Sequence, residues 1–177
     1  MNIILCGMPS AGKSHFGALL AKQLDRVFID TDLLIIQEYF NQTHSRVTCR
    51  QIVLQEGDLF FRLLENKVIQ GLENIRNAVI AVGGGAICHF ENRRILKGLG
   101  WVIYLRVSSS SLLDRIVSKN SIPSYLDQDD LQGSFEILLK KRIPLYEEMA
   151  DYCLDVDREN ILEVLSRYAE KEKTDGK

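Results

Sequence analysis

No apolar run in this 177-residue sequence approaches the roughly 20 residues needed to cross a bilayer, so no membrane span is expected. The start, Met1-Asn2-Ile3-Ile4-Leu5, lacks the cationic leader and cleavage site of a secretory signal. Proline is scarce at three residues and glycine stops at twelve, which argues against a disordered or fibrous chain. Neither sign of charge dominates. The net charge of -2 argues against bulk attraction to nucleic acid or to anionic membrane. The four cysteines, Cys6, Cys49, Cys88 and Cys153, form no CxxC or Cys/His cluster, so zinc is not expected. They read as reduced thiols of a cytoplasmic protein. Repeats and Pro/Gly/Ser linkers are also missing, and the length suits one domain.

What is present is a 46% hydrophobic chain in which short β-branched runs alternate with longer helical stretches. Strands are expected at Asn2 to Cys6, Val27 to Asp30, Ala78 to Val82, Trp101 to Leu105 and Tyr152 to Val156. Residues 12–24 place Phe16, Leu19, Leu20 and Leu24 on one helical face. Residues 31–55 read as mixed, short helices. After Gly57 a long helix carries Leu59, Leu63, Leu64, Val68, Ile69 and Leu72 at helical spacing. A helix begins at Leu112 to Ile116, residues 119–134 read as a polar loop, and helices are expected at 135–149 and 158–171. The alternation predicts an α/β fold: three layers, α/β/α, around a five-stranded parallel sheet. Ligands then gather at the carboxyl ends of the strands.

Residues 7–14, Gly-Met-Pro-Ser-Ala-Gly-Lys-Ser, follow the first strand and open the first helix, the context a phosphate-binding loop requires. Its glycines let successive N–H groups point at phosphate oxygens, and the helix N-terminus adds positive partial charge. Gly7, Ser10, Ala11, Gly12, Lys13, Ser14 and His15 are the candidate ATP-binding residues. Lys13 can reach the β- and γ-phosphates, and the Ser14 hydroxyl can bind Mg²⁺. Asp30 and Asp32 close the second strand, where residues two apart face the same way, into the crevice beside the loop. One carboxylate suits the metal shell and the other an attacking hydroxyl. The competing reading is that Asp32 merely caps the next helix.

Arg62 interrupts an apolar helical stretch, either as a stem that snorkels along the core or as a fork for a carboxylate or phosphate. Gly83-Gly84-Gly85 follows the third strand, either as a tight turn or as backbone that a ligand must approach. Arg142 on its own reads as a surface charge.

Together these residues resemble the shikimate kinase family. The match comprises the phosphate loop, Asp30-Thr31-Asp32, Phe61-Arg62 with Glu65, Gly83-Gly84-Gly85-Ala86, and Arg142-Ile143-Pro144-Leu145-Tyr146, over roughly residues 2–165. The resemblance implies a P-loop kinase fold spanning residues 1–172. It places a substrate-binding subdomain near 31–62, a lid near 113–130 and a charged tail at 173–177. It implies transfer of the γ-phosphoryl of ATP, with Mg²⁺, to the 3-hydroxyl of shikimate, on the way to chorismate and the aromatic amino acids. Lys13 and Asp32 become catalytic, and Ser14 and Asp30 the metal residues. Asp32, Arg62, Gly83, Gly84, Gly85 and Arg142 bind substrate, and Arg115 and Arg158 lie near the adenine. A monomer with no nucleic-acid or membrane partner is expected. The alternatives are a gluconate or other small-metabolite kinase on this fold, or a catalytically weak P-loop binding protein. Two departures stand out. The lid stretch Asn120-Ser121-Ile122-Pro123 lacks the family's arginine before proline, leaving Lys119 or Arg115 as substitutes and implying modest turnover. Val53 stands where the family often has an aromatic residue.

Overall fold

Strand β1 (Asn2–Cys6) is buried at all five positions and β3 (Ala78–Ala81) at all four. A strand buried on both faces must be covered on both, which is why these runs are continuously apolar rather than alternating. A computed structural model describes residues 1–118, 123, 126–127, 129–158, 160–165 and 167. With β2 (Val27–Asp30), β4 (Gly100–Arg106) and β5 (Tyr152–Asp155), the strands form one sheet in the order β2-β3-β1-β4-β5. Every pairing is parallel, with Ile3 opposite Val79 on one side and Trp101 on the other. Buried Asn2 fixes one end of this register. Its amide donates to the carbonyls of Ile75 and Leu99 and accepts the Ala78 N–H.

Helix α1 (Lys13–Leu24) packs across β2 and β3, with Gly17, Leu20 and Ala21 inward. Leu19 is exposed, so the inward stripe is narrower than the sequence spacing predicts. The stretch expected to hold short helices forms a 13-residue helix, α2 (Thr31–Thr43), followed by the eight-residue α3 (Cys49–Glu56). Only Thr31, Ile35 and Tyr39 of α2 are buried, a one-residue-wide stripe that exposed Leu33 and Leu34 mask in the sequence. Helix α4 (Asp58–Gln70) turns Leu59 and Leu63 to solvent and buries Phe61, Leu64, Glu65, Val68 and Ile69. Its buried face therefore includes an acid that the apolar periodicity passes over.

A single 3₁₀ turn (Ala86–Cys88) leads into α5 (Phe90–Leu99), a helix the polar sequence hides. Helix α6 (Ser109–Ser118) follows β4. Helix α7 runs from Leu131 to Met149, four residues longer at its start than expected, because the Asp130 side chain caps it by accepting the Gly133 N–H. Residues 161–165 and 167 are helical, within the closing helix expected at 158–171. The rest of that expectation, the tail at 173–177, and the lid residues 119–122, 124–125 and 128 lie outside the described residues.

The main apolar core surrounds the sheet. A second, smaller cluster gathers Ile35, Tyr39, Ile52, Phe61, Leu64 and Val68 from α2, α3 and α4, with Val53 packed against it. Helix α4 belongs to both, since Ile69 lies in the main core.

Candidate active site

The phosphate loop leaves β1 at Gly7, whose φ is 145°. A Cβ there would lie 2.7 Å from the Leu105 carbonyl oxygen, so both the backbone conformation and the neighbouring strand require glycine. Gly12, at φ 97°, caps α1, and Ser10 takes φ 65°. The Ala11 N–H donates back to Met8 O at 3.1 Å, and Lys13 Nζ donates to the carbonyls of Gly7 and Met8 at 3.0 and 2.9 Å. Burial lowers the Lys13 pKa, while Asp32 and Asp30 oppose the shift. The ammonium is thus held over the concave side of the loop, beside the two aspartates. His15 is exposed and meets Phe16 edge to face.

The reason expected for the aspartate pair needs correction. Strand alternation cannot align them, because Asp30 ends β2 and Asp32 lies in the first turn of α2. Asp30 is the helix cap, and its Oδ1 accepts the Asp32 N–H at 3.0 Å. The other Asp30 oxygen, Oδ2, accepts the Ser14 hydroxyl at 2.6 Å. Capping is therefore the work of Asp30, and Asp32 is left to face the cleft. Its carboxyl is reached by solvent at the cleft mouth, yet the closely packed surroundings raise its pKa above the ordinary carboxylate range. Lys13 opposes that shift and Asp30 adds to it.

The turn after β3 fits against these groups through missing side chains. A Cβ on Gly83 would lie 2.7 Å from Asp32 Oδ1 and 3.2 Å from Glu65 Oε1. On Gly84 it would lie 2.7 Å from Pro9 Cδ, and on Gly85 2.5 Å from Arg62 Nη1. Positive φ occurs at none of the three. The three glycines leave space, and the side chains of Asp32, Glu65, Pro9 and Arg62 take it up. The Gly83 N–H donates to buried Thr31 Oγ1 at 2.9 Å, and the Gly84 carbonyl accepts the Tyr146 hydroxyl at 2.6 Å. Tyr146 is fully buried and stacks on Tyr104 with centroids 4.9 Å apart.

Arg62 is largely buried and ion-paired. Nη1 donates to Glu65 Oε2 at 2.8 Å, and Nε lies 3.3 Å from Asp58 Oδ1. Glu65 is 1% exposed, and burial raises its pKa against the pull of Arg62. Arg142 is 7% exposed, so the reading of a surface charge fails. Its charge acts on Lys13, Glu65 and Tyr146, which places it at the same cleft. Cys49 Sγ donates to the Asp32 carbonyl at 3.4 Å and ties α3 to the start of α2. Sequence reasoning assigned no role to Glu65, Thr31 or Tyr146, although all three stand inside the quoted motifs.

Beyond the loop, at the β4–β5 edge, a cavity of about 640 Å³ is lined by Arg106, Ser108, Asp155, Asp157 and Arg158 among others. Arg158 is 85% exposed, 3.8 Å from Asp155. Arg115 donates from Nη1 to Ser10 O at 3.3 Å and from Nη2 to Asp157 Oδ1 at 3.4 Å. These contacts commit it to the phosphate-loop rim. Lys119 lies outside the described residues. Among the described residues no group of three or more His, Cys, Asp or Glu could hold a metal, and no helix is long and apolar enough to cross a membrane.

A parallel sheet, a phosphate loop at its carboxyl edge and an acid beside the loop define a P-loop phosphotransferase. More narrowly, the chain belongs to the shikimate kinase family, whose family model matches residues 9–172. A shikimate kinase of Syntrophus aciditrophicus is 33% identical over 175 residues, covering 93% of this chain and 87% of that one. One from Legionella pneumophila is 38% identical over 157 residues, covering 89% and 86%. The solved structure of the shikimate kinase from Acinetobacter baumannii in complex with shikimate superposes with a TM-score of 0.83. The two are 32% identical, with 98% of this chain and 93% of that one covered. A deoxyadenosine kinase from M. mycoides, 17% identical with a TM-score of 0.63 and coverage of 97% and 100%, shares the fold.

Proposed function

We propose that this chain transfers the γ-phosphoryl of ATP to the 3-hydroxyl of shikimate, giving shikimate 3-phosphate and ADP, a step toward chorismate and the aromatic amino acids. The observation that carries this reading is the convergence of Asp32, the Arg62–Glu65 pair, the Gly83–Gly85 turn and Arg142 beside the phosphate loop of a family member. Shikimate is a carboxylated polyol. It needs cations at one end and a carboxylate at the other, and this cleft offers both.

In this reading Gly7, Ser10, Ala11, Gly12, Lys13, Ser14 and His15 hold the phosphates of ATP. Lys13 follows the charge that develops on the transferring phosphoryl group. Asp32 accepts a hydrogen bond from the substrate hydroxyl and takes its proton. Arg62 keeps Nη2 for the substrate carboxylate while Nη1 and Nε stay with Glu65 and Asp58, and Arg142 grips the same carboxylate. The backbone of Gly83, Gly84 and Gly85 lines the ring pocket. Arg115 and Arg158 serve the adenine end.

The hydroxyl of Ser14 and the carboxylate of Asp30, already 2.6 Å apart, are the hard oxygen donors that fit Mg²⁺. When bound, the ion supplies neutralisation of charge on the β- and γ-oxygens. The α2–α4 cluster is the substrate-binding subdomain and the stretch near 113–130 the lid. With no arginine before Pro123 and Arg115 engaged at the loop rim, turnover is modest. The proposal includes a cytoplasmic monomer with small-molecule partners only, supported by four unlinked thiols and a net charge near zero.

ADP release measured separately with shikimate, gluconate and a nucleoside monophosphate tests this. Release with shikimate alone is expected. Release only with gluconate or the nucleotide overturns the acceptor, and ATP binding without release to any acceptor makes the chain a binding protein.

A further inference from the structure

We infer that Asp157 is a positioning residue for the nucleotide, acting through Arg115 and through the Ser10 peptide of the phosphate loop. The inference rests on the reading of Arg115 as a nucleotide-side residue and extends it to a carboxylate with no assigned role.

Three loops meet at the carboxyl edge of the sheet, and two side chains, Asp157 and Arg115, join them. Asp157 follows β5. Its Oδ2 accepts the Ser108 N–H at 3.0 Å, at the turn between β4 and α6. Its Oδ1 accepts Arg115 Nη2 at 3.4 Å. Arg115 lies late in α6, and its Nη1 reaches Ser10 O at 3.3 Å, in the turn between β1 and α1. Ser10 is the non-glycine residue of that loop at positive φ, 65°, a conformation that needs outside support. The Asp157 N–H is itself fixed, donating to Asp155 Oδ1 at 3.2 Å. The hydrogen bonds from Ser108 hold the Asp157 carboxyl below the usual carboxylate range, so it stays ionised opposite the guanidinium.

The geometry has a chemical use. A guanidinium held through its two outer nitrogens is fixed edge-on, and neither bond uses its faces. An open face of a planar cation is a surface on which a purine stacks. Asp157 itself lines the 640 Å³ cavity at this edge. Removing its charge releases one edge of Arg115 and, through it, the carbonyl of the loop residue whose backbone is least favourable. The loss falls on ATP. The acceptor cleft is built from α2, α4, α7 and the Gly83–Gly85 turn, and shares none of these bonds.

The test is the variant Asp157→Asn, which keeps an oxygen for the Ser108 N–H and removes the charge from Arg115, run beside Arg115→Met and the double variant. Asp157→Asn is expected to raise the KM for ATP about fivefold, a magnitude fitting a partly exposed ion pair. The KM for shikimate and the melting temperature stay within experimental error, and Asp157→Glu restores most of the ATP affinity. The double variant is expected to be no worse than Arg115→Met alone. An unchanged KM for ATP in Asp157→Asn, an equal rise in both KM values, or additive losses in the double variant overturns the inference. If Arg115→Met itself leaves the KM for ATP unchanged, the nucleotide role of Arg115 fails instead, and the two failures are distinguishable.

Discussion

The phosphate loop closes on itself over a few residues: Lys13 returns to Gly7 and Met8, and Ala11 to Met8. The acceptor cleft draws Asp32 from α2, Arg62 and Glu65 from α4, three glycines from the turn after β3, and Arg142 and Tyr146 from α7. The first is a local device whose geometry follows from adjacent backbone angles. The second is made by helices arriving from distant parts of the chain, and its dimensions are set by how they pack. Donor chemistry therefore rests mainly on this local device, with Arg115 and Asp157 as its support from outside, whereas acceptor recognition depends throughout on contacts between distant elements.

The largest break in that contrast is expected at Asp32, where the halves meet. Asp32→Asn is expected to lower kcat by about 10²–10⁴-fold, the usual worth of a positioned general base. ATP affinity is retained, and turnover assays with a nucleotide titration check both. Burial raises the Asp32 pKa, and the protonated acid cannot accept the hydroxyl proton. Activity should then fall as pH drops through a value above the ordinary carboxylate pKa of about 4, and the Asn variant should lack that acid limb. A limb that persists in Asp32→Asn assigns it to another group.

Next in size, Gly85→Ala sharpens the contrast by disturbing only the acceptor half. Its methyl would meet Arg62 Nη1 at 2.5 Å and push the guanidinium off its place. The KM for shikimate should rise about tenfold, the loss of roughly one charge-assisted hydrogen bond, with the KM for ATP unchanged. A rise in both would mean that the halves are coupled through the turn. The smallest effect is expected from Tyr146→Phe, which removes the bond to the Gly84 carbonyl. Unfolding in urea should show a loss of about 1–2 kcal/mol, and the KM for shikimate should rise a few-fold. Unchanged values for both would show that the turn is held by packing alone.

The same contrast explains what could be read from the sequence. The strand–helix alternation, the five strands and the phosphate loop are local patterns, and all are found where the sequence places them. The acceptor residues were legible as a set through family resemblance, but their geometry was not. Asp30 and Asp32 were paired for the wrong physical reason, since a helix cap rather than strand alternation brings them together. Arg142 reads as a surface charge until α7 buries it. Glu65 is an acid on a buried face, and its bond to Arg62 helps make that tolerable, a relation no periodicity encodes. Helix α5 escaped because its inward residues, Asn92, Ile95, Leu96 and Leu99, are diluted by charge.

The small cluster of Ile35, Tyr39, Ile52, Phe61, Leu64 and Val68 has a consequence for inheritance. It is packed apart from the core around the sheet and shares helix α4 with it. Mutations far apart and without common partners combine almost independently. A descendant of this gene could thus remodel the cluster, and with it the setting of Asp32 and Arg62, while the machinery that handles ATP passes on unaltered. The boundary along α4 is a seam at which new acceptor preferences can be selected without first losing the old donor.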